Sequence, residues 1–126
     1  MVLFFIGSHV LPDLRERFAT EDKATMTELI ARDKFKTPVS REAVAVDWRT
    51  RGFSCELFID SPGREWNNFV HRTDELVTVV EGRLEITIGE LCITAQPGDE
   101  VFIPNGAVHS VKNIHSATTR WLYGYG

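Results

Sequence analysis

The stretch WNNFVHRTDE, from Trp66 to Glu75, carries a histidine and, four residues later, a carboxylate. We expect His71 near the end of a strand and Glu75 at the start of the next. A second histidine, His109, follows a turn that contains proline and glycine. Two imidazoles and a carboxylate on neighbouring strands can converge inside a β-barrel, where they offer two nitrogen donors and one oxygen donor to a divalent metal. The three residues therefore predict a metal site with open coordination positions.

A structural role is the alternative for each of these residues taken singly. A lone histidine is more often a hydrogen-bonded structural residue than a ligand, and Glu75 alone would be a solvated charge at the start of a strand. The three together are different, because a carboxylate buried in a barrel without a cation costs on the order of several kcal/mol. We therefore expect His71, Glu75 and His109 to bind a cation jointly.

The elements that position these residues are short strands. From Ala43 onward, β-branched and aromatic runs alternate with glycine and proline turns, and about eight strands are predicted. Their sequences are AVAVDW, FSCELFID, ELVTVV, RLEITIG, LCITA, EVFIP, AVHSV and TRWLYGY. Alternation in LEITI places Leu84, Ile86 and Ile88 on one face of a strand. Many short strands in one small domain indicate an all-β sandwich or barrel.

The N-terminal segment is organised differently. The apolar opening MVLFFIGSHV predicts a strand that packs on the barrel or on a second subunit. From Leu11 to about Lys36 the pattern is helical, with Pro12 in a first turn and Thr20 as an N-cap. The buried face of this helical segment is expected to consist of Met26, Leu29 and Ile30. Its remaining positions are typical of a solvated surface and predict no chemistry.

Composition limits the classes of partner. The chain has 126 residues, 14 Lys and Arg against 18 Asp and Glu, and a formal net charge of −4, so nucleic acid is an unexpected partner. The opening apolar run lacks a basic flank and is far shorter than a membrane span, so we expect no membrane association and a cytoplasmic protein. The two cysteines, Cys55 and Cys92, lie in strand-like runs and are expected to be reduced.

The spacing of these residues resembles that of the cupin family. The first cupin pattern is Gly, five residues, His-x-His, three or four residues, Glu, six residues and Gly. The second is Gly, five residues, Pro-x-Gly, two residues, His, three residues and Asn. In that register this chain has Gly63, Phe69, His71, Glu75 and Gly82, and then Gly98, Pro104, Gly106, His109 and Asn113. Every fixed position agrees except that of the first histidine, where Phe69 stands, and the resemblance covers about 41–125.

The resemblance implies a double-stranded β-helix, the cupin jelly-roll barrel, at 41–126. The N-terminal strand and helical arm, at 1–40, lie outside the resemblance. It places the metal ligands at His71, Glu75 and His109, and the fourth ligand at Phe69, which cannot coordinate. Asn67, two residues earlier on the same predicted face, could supply an amide oxygen, although this is a poor ligand for the softer transition metals. The ion is expected to be divalent Fe, Mn, Ni, Co or Zn.

The resemblance indicates the fold more closely than the function, because one fold hosts many activities. The first hypothesis is a metal-dependent enzyme or metalloprotein acting on a small molecule, with the oxygenase, isomerase or hydrolase type open. The alternative is a non-catalytic ligand-binding module with a structural or vestigial metal site. We also expect a homodimer, as in many small single-domain cupins. The aromatic residues expected either in the core or around a ligand are Trp66, Trp121, Tyr123 and Tyr125.

Overall fold

The computed structural model describes residues 25–126 and, nearer the N-terminus, the backbone of two further strands. The described strands are β1 (Leu3–Ile6), β2 (His9–Pro12), β3 (Ile30–Ala31), β4 (Glu56–Asp60), β5 (Glu65–Phe69), β6 (Glu75–Glu81), β7 (Leu84–Ile88), β8 (Leu91–Ala95), β9 (Glu100–Ile103), β10 (His109–Asn113) and β11 (Thr119–Tyr125). The described helices are Met26–Leu29 and Arg41–Thr50.

Two antiparallel sheets form the domain. One has the strand order β3-β9-β6-β11-β4 and the other β5-β10-β7-β8, while β1 and β2 pair with each other in a separate two-stranded sheet. The first two sheets pack face to face around an apolar core that both supply. Alternation in β7 is confirmed, because Leu84, Ile86 and Ile88 are fully buried in this core. The all-β jelly-roll prediction is therefore confirmed.

The five-stranded sheet is covered on its outer face by the helix Arg41–Thr50. In β11 the side chains alternate, so that Trp121 belongs to the core between the sheets while Leu122 packs against Val44 and Trp48 of the helix. The five-stranded sheet is consequently buried on both faces in its central strands.

A buried carboxylate fastens this helix to the sheet. Glu100, on β9, accepts hydrogen bonds from Trp48 Nε1 at 2.8 Å and from both terminal nitrogens of Arg51. Lys34 Nζ lies 3.4 Å from the same carboxylate. The hydrogen bond to Glu100 raises the pKa of Arg51 above its usual value, against the opposing effect of burial. These partners offset the cost of burying the Glu100 charge.

The strand predicted for AVAVDW is wrong, since these residues lie in the helix Arg41–Thr50. Ser40 caps it, its Oγ accepting a hydrogen bond from the backbone N–H of Ala43 at 3.2 Å. Val44 and Trp48 are buried one helical turn apart, whereas Val46 is 56% exposed. A strand would have placed all three on one face, so the burial pattern is helical.

The N-terminal helical segment is also shorter than predicted. Leu11 and Pro12 belong to β2, and among the described residues of this segment only Met26–Leu29 is helical. Leu29 is buried as expected, but Ile30 belongs to β3, where it pairs with Val101. Thr20 lies outside the described residues. Residues 30–31 thus extend the five-stranded sheet by one short strand.

The other seven predicted strands are present, and the turns between them use glycine where predicted. Gly82 has a φ of 105°, and a Cβ there would collide with Thr119, so no other residue fits without rearrangement. Cys55 and Cys92 are free thiols. None of the described helices has the length and apolar character that a membrane crossing requires.

Candidate metal centre

Three residues from both sheets meet at one end of the sandwich. Glu75 is the first residue of β6 and His109 the first of β10, and both side chains are buried. His71 follows β5 in the turn that leads to β6 and is half-buried. Its backbone carbonyl accepts a hydrogen bond from the N–H of Gly106 at 2.9 Å, which ties this turn to the one preceding β10. The two turns of the cupin patterns therefore hold each other and position the cluster.

The polar atoms of the three side chains converge. His71 Nε2 lies 3.5 Å and His109 Nε2 3.3 Å from the same oxygen, Glu75 Oε1. One potential ligand atom from each residue falls within 4.8 Å of the other two. The structure thus brings together the three residues that the sequence nominated, at separations that one bound cation could span.

The tautomer of His109 makes this arrangement chemically specific. His109 Nδ1 lies 3.0 Å from the carbonyl oxygen of Ala107, which can only accept, so Nδ1 carries a proton. In the neutral ring Nε2 is then an acceptor, and it faces Glu75 Oε1, a buried atom without a hydrogen-bond donor. Two acceptors at this separation require a proton or a metal ion between them.

The electrostatics of His109 agree with that requirement. Burial by itself would lower the pKa of this imidazole, because it disfavours the charged ring. The contact with the Glu75 carboxylate and the hydrogen bond to Ala107 act in the opposite direction and prevail, so the pKa is raised above its usual value. The site therefore attracts positive charge to the space beside Nε2.

A cavity of about 190 Å³ adjoins the cluster. Aromatic and apolar side chains form most of its wall. The lining consists of Phe58, Trp66, Phe69, His71, Glu75, His109, Val111, Trp121, Tyr123 and Tyr125. All four aromatic residues nominated from the sequence are among them, whereas Phe58 and Val111 were not nominated. Alternation along β11 directs its three aromatic residues into this cavity.

Tyr125 lies at the polar end of the cavity. Its ring centroid is 5.0 Å from that of His71 in an edge-to-face arrangement, and its Cα pairs with that of Glu75. Burial, followed by the negative charge of Glu75 and then the neighbouring Tyr123, raises the pKa of Tyr125 to about 12. The phenol therefore stays protonated at neutral pH and remains a hydrogen-bond donor.

Phe69 occupies the position of the fourth cupin ligand. Its Cα pairs with that of His109, and its ring centroid lies 6.3 Å from the His109 ring and 6.0 Å from the His71 ring. The side chain is 39% exposed, so it stands where the cavity meets solvent. A hydrocarbon ring therefore flanks both imidazoles where the family pattern has a nitrogen donor.

Asn67 is exposed and lies outside the cavity lining, contrary to the expectation that it would share the inner face of Phe69. The register between β5 and β10 shifts, because Phe69 pairs with His109 but Trp66 pairs with Val111. Asn68 has a φ of 59° within this bulge. The extra residue turns Trp66, rather than Asn67, towards the cavity.

A buried carboxylate behind the wall was not anticipated. Asp60 is fully buried and accepts hydrogen bonds from Trp66 Nε1 at 3.1 Å and from Trp121 Nε1 at 2.8 Å. Arg64 Nε lies 3.7 Å from it. The only sequence signal was an acidic residue ending a strand, which is typical of a turn and gave no reason to expect a contact with the cavity wall.

Comparison with known proteins supports the fold and identifies the family. A family model described as a cupin domain matches residues 57–125, more than half of the chain. The chain belongs to the cupin family. No curated protein sequence matches this cupin significantly.

Solved structures share the fold of this cupin at low sequence identity. The TT1209 protein of Thermus thermophilus is 25% identical, with 58% of this chain and 71% of that chain covered at a TM-score of 0.54. For a cupin 2 domain-containing protein of Halorhodospira halophila the identity is 23%, the coverage 61% and 57%, and the TM-score 0.55. For an oxalate oxidase in complex with the substrate analogue glycolate these values are 21%, 60% and 42%, and 0.55. This cupin thus spans about half the length of the latter two proteins.

Proposed function

We propose that this cupin binds one divalent transition metal ion through His71, Glu75 and His109 and uses it to bind or convert a small molecule in the adjoining cavity. The observation that carries the proposal is the pair of facing acceptors, His109 Nε2 and Glu75 Oε1, 3.3 Å apart with no donor between them. A cation is the simplest partner for both atoms, because burying an unpaired carboxylate is costly.

The donor set fits such an ion. Two imidazole nitrogens and one carboxylate oxygen suit Fe(II), and they also accept Mn, Ni, Co or Zn. When bound, the ion would supply a Lewis acid with coordination positions left for water or a ligand oxygen.

The residues of the chain have separable tasks around that ion. The Ala107 carbonyl fixes the tautomer of His109, which leaves Nε2 free to coordinate. Tyr125 packs edge to face with the His71 ring and keeps a phenolic proton available near Glu75. The apolar wall lowers the polarity of the surroundings on the cavity side of the ion, which strengthens electrostatic interactions there.

Elemental analysis of protein purified without a metal-affinity tag, followed by equilibrium titration with each candidate ion, tests the proposal. His109→Ala should lose binding while the fold persists, because His109 begins a strand that is paired on both sides. His115→Ala is the matched control, since this residue lies beyond β10 and outside the cavity lining. Full metal stoichiometry in His109→Ala would refute the ligand assignment.

A non-catalytic ligand-binding module is the second candidate, and Phe69 is the observation that favours it. Three protein donors could hold an ion whose only role is to brace the two turns, with the Phe69 ring shielding the position of a fourth ligand. Water-proton relaxation of the Mn²⁺-loaded protein separates the two candidates. Rapidly exchanging water on the ion is required for the catalytic function and would be lacking in a closed structural site.

The assembly and location expected from the sequence are part of the proposal. The β1–β2 hairpin pairs with neither large sheet, and an isolated hairpin is marginally stable in water. Packing of this hairpin against a second copy of the chain would explain its presence, which supports a homodimer. Free Cys55 and Cys92 support a reducing compartment such as the cytoplasm.

A further inference from the structure

We infer that the cavity takes a compact ring and directs one anionic group of that ligand towards the His71, Glu75 and His109 cluster, with Asp60 as the positioning residue that makes the wall selective for a ring. The part of this inference that concerns the anionic group rests on the proposed function. The part that concerns the ring rests on the wall alone and can be tested without a metal.

The wall offers few hydrogen-bonding groups to a ligand, because its indole N–H groups already donate to Asp60. Tryptophan has a single donor, and the donors of Trp66 and Trp121 both point to the buried Asp60 carboxylate. Phe58, Phe69 and Val111 add no polar atoms. Along this side of the cavity a ligand therefore meets carbon surfaces and the edges and faces of aromatic rings.

The polar groups of the lining are concentrated at the other end. They belong to the three cluster residues and to Tyr125, which contacts His71. The hydroxyl of Tyr123, whose ring lies between those of Tyr125 and Trp121, is the remaining polar group of the described lining besides the two engaged indoles. A ligand with hydroxyl groups around its whole body would leave several of them unpaired against the carbon wall. The arrangement fits a ligand with one polar end and one apolar end.

The volume indicates the size of the apolar part. Hydrocarbon-lined cavities of about 150 Å³ hold a benzene molecule, and this cavity measures about 190 Å³. One six-membered ring with a short head group therefore fills it. The rings of Phe58 and Trp66 are arranged edge to face at 5.4 Å, a geometry that also favours aromatic ligands through further edge and face contacts.

Charge indicates the head group. Glu75 is the single carboxylate of the described lining, so a divalent ion beside it with two neutral imidazoles leaves one net positive charge for a ligand anion. The Asp60 charge does not oppose this, because Arg64 Nε lies 3.7 Å from it and the Arg64 guanidinium lies 4.2 Å from the centre of the Trp66 ring. Without the ion, Glu75 would repel an anionic head.

The first experiment tests the wall in metal-stripped protein. Toluene is titrated into ¹⁵N-labelled protein while the indole N–H signals of the three tryptophans are followed by NMR. We expect the signals of Trp66 and Trp121 to shift and that of Trp48, which is bound to Glu100 outside the cavity, to stay. Trp48→Phe assigns the control signal. Unchanged Trp66 and Trp121 signals would overturn the inference.

The second experiment tests the anionic head group and the ring of the ligand together in Zn²⁺-loaded protein. Benzoate, acetate and gluconate are compared by calorimetry, and benzoate should bind at least about tenfold more tightly than either of the others, because its ring is removed from water. Equal affinity for acetate would show that the ring is not bound, and equal affinity for gluconate would show that the wall accepts a polar body. Either result overturns the inference with metal binding intact.

Asp60→Asn tests the positioning role. The amide keeps one acceptor but turns a donor towards one indole, so one indole N–H should lose its partner. We expect the benzoate preference over acetate to fall several-fold and the indole signals to move, with Zn²⁺ affinity unchanged. Asp60→Ser, which removes the carboxylate and keeps both indoles, should reproduce the loss if Asp60→Asn does not fold. An unaltered preference in both variants contradicts the role. Absence of metal binding in the wild type refutes the proposed function and, with it, the part of this inference that concerns the anionic group. The toluene titration then decides the part that concerns the ring.

Discussion

Relative to wild type, replacement of Glu75 by glutamine should stabilise the metal-free protein and destabilise the metal-loaded protein. The Glu75 side chain is 6% exposed, its Oε1 lacks a hydrogen-bond donor, and His109 Nε2 faces it at 3.3 Å. Glutamine keeps the shape, removes the charge and supplies an N–H that can donate to Nε2. The substitution therefore relieves a cost in the free protein and removes a ligand from the bound one.

The expected magnitudes follow from those contacts. A buried acceptor without a partner costs about 1–3 kcal/mol, so metal-free Glu75→Gln should be about 1 kcal/mol more stable than wild type. With the ion at a hundred times its Kd, wild type gains about 2.7 kcal/mol, which the variant should largely lose. For a domain of this size 1 kcal/mol corresponds to roughly 3–6 °C in Tm. The two differences have opposite signs and are both measurable.

Thermal melts with and without Zn²⁺ provide the assay, at a pH of about 9, where neutral imidazole predominates. The pH matters because the pKa of His109 is raised in the folded protein, so protonation adds stability below the unfolded pKa, and this contribution is lost as the pH rises through the folded value. At low pH the advantage of Glu75→Gln should therefore shrink. Glu81→Gln, exposed on the same strand, is the control. A metal-free variant less stable than wild type at about pH 9, or one that keeps the full metal effect, would refute the reasoning.

Three further predictions concern other parts of the chain. Phe69→His should tighten metal binding about tenfold (~1.4 kcal/mol), because a tethered imidazole replaces water, and equilibrium titration showing equal affinity would contradict it. Trp48→Ala should destabilise the protein by about 3–5 kcal/mol in urea unfolding, because a fully buried side chain is lost, and should leave metal affinity unchanged. A smaller loss would mean that the helix contributes little to the free energy of unfolding. Deletion of Val2–Ile6 should release monomers detectable by light scattering, whereas an unchanged dimer would count against the role of the hairpin.

The strands and the three cluster residues could be predicted from the sequence because their signals are local. Alternation identified β7, and the spacing of glycines and prolines determined which turns hold His71 and His109 close to Glu75. AVAVDW was wrongly predicted as a strand because its alternate apolar residues fit the period of a strand. Val44 and Trp48 also fit the period of a helix. Ser40 before the run was the available signal for a helix.

Other features of the site depend on contacts that no local pattern contains. The bulge at Asn68 depends on how β5 pairs with β10, and it alone decides that Trp66 rather than Asn67 faces the cavity. The role of Asp60 depends on Trp121, which is 61 residues away along the chain. Such long-range pairings follow from the folded sheets and could not be read from residue order.

The alternation along β11 has a consequence for how this protein can evolve. Leu122 and Gly124 face the helix, and a Cβ at Gly124 would collide with the backbone of Ser54, so these positions tolerate little change. Tyr123 and Tyr125 point to the cavity and do not belong to the packing beneath the helix. Alternate residues of β11 are therefore constrained by different requirements, packing against the helix at one set and contact with a ligand at the other. Ligand preference can change at Tyr123 and Tyr125 without disturbing the packing beneath the helix. Tyr123 also packs against the core between the sheets, so a mutant library at Tyr125 should retain a higher fraction of folded members than one at Tyr123.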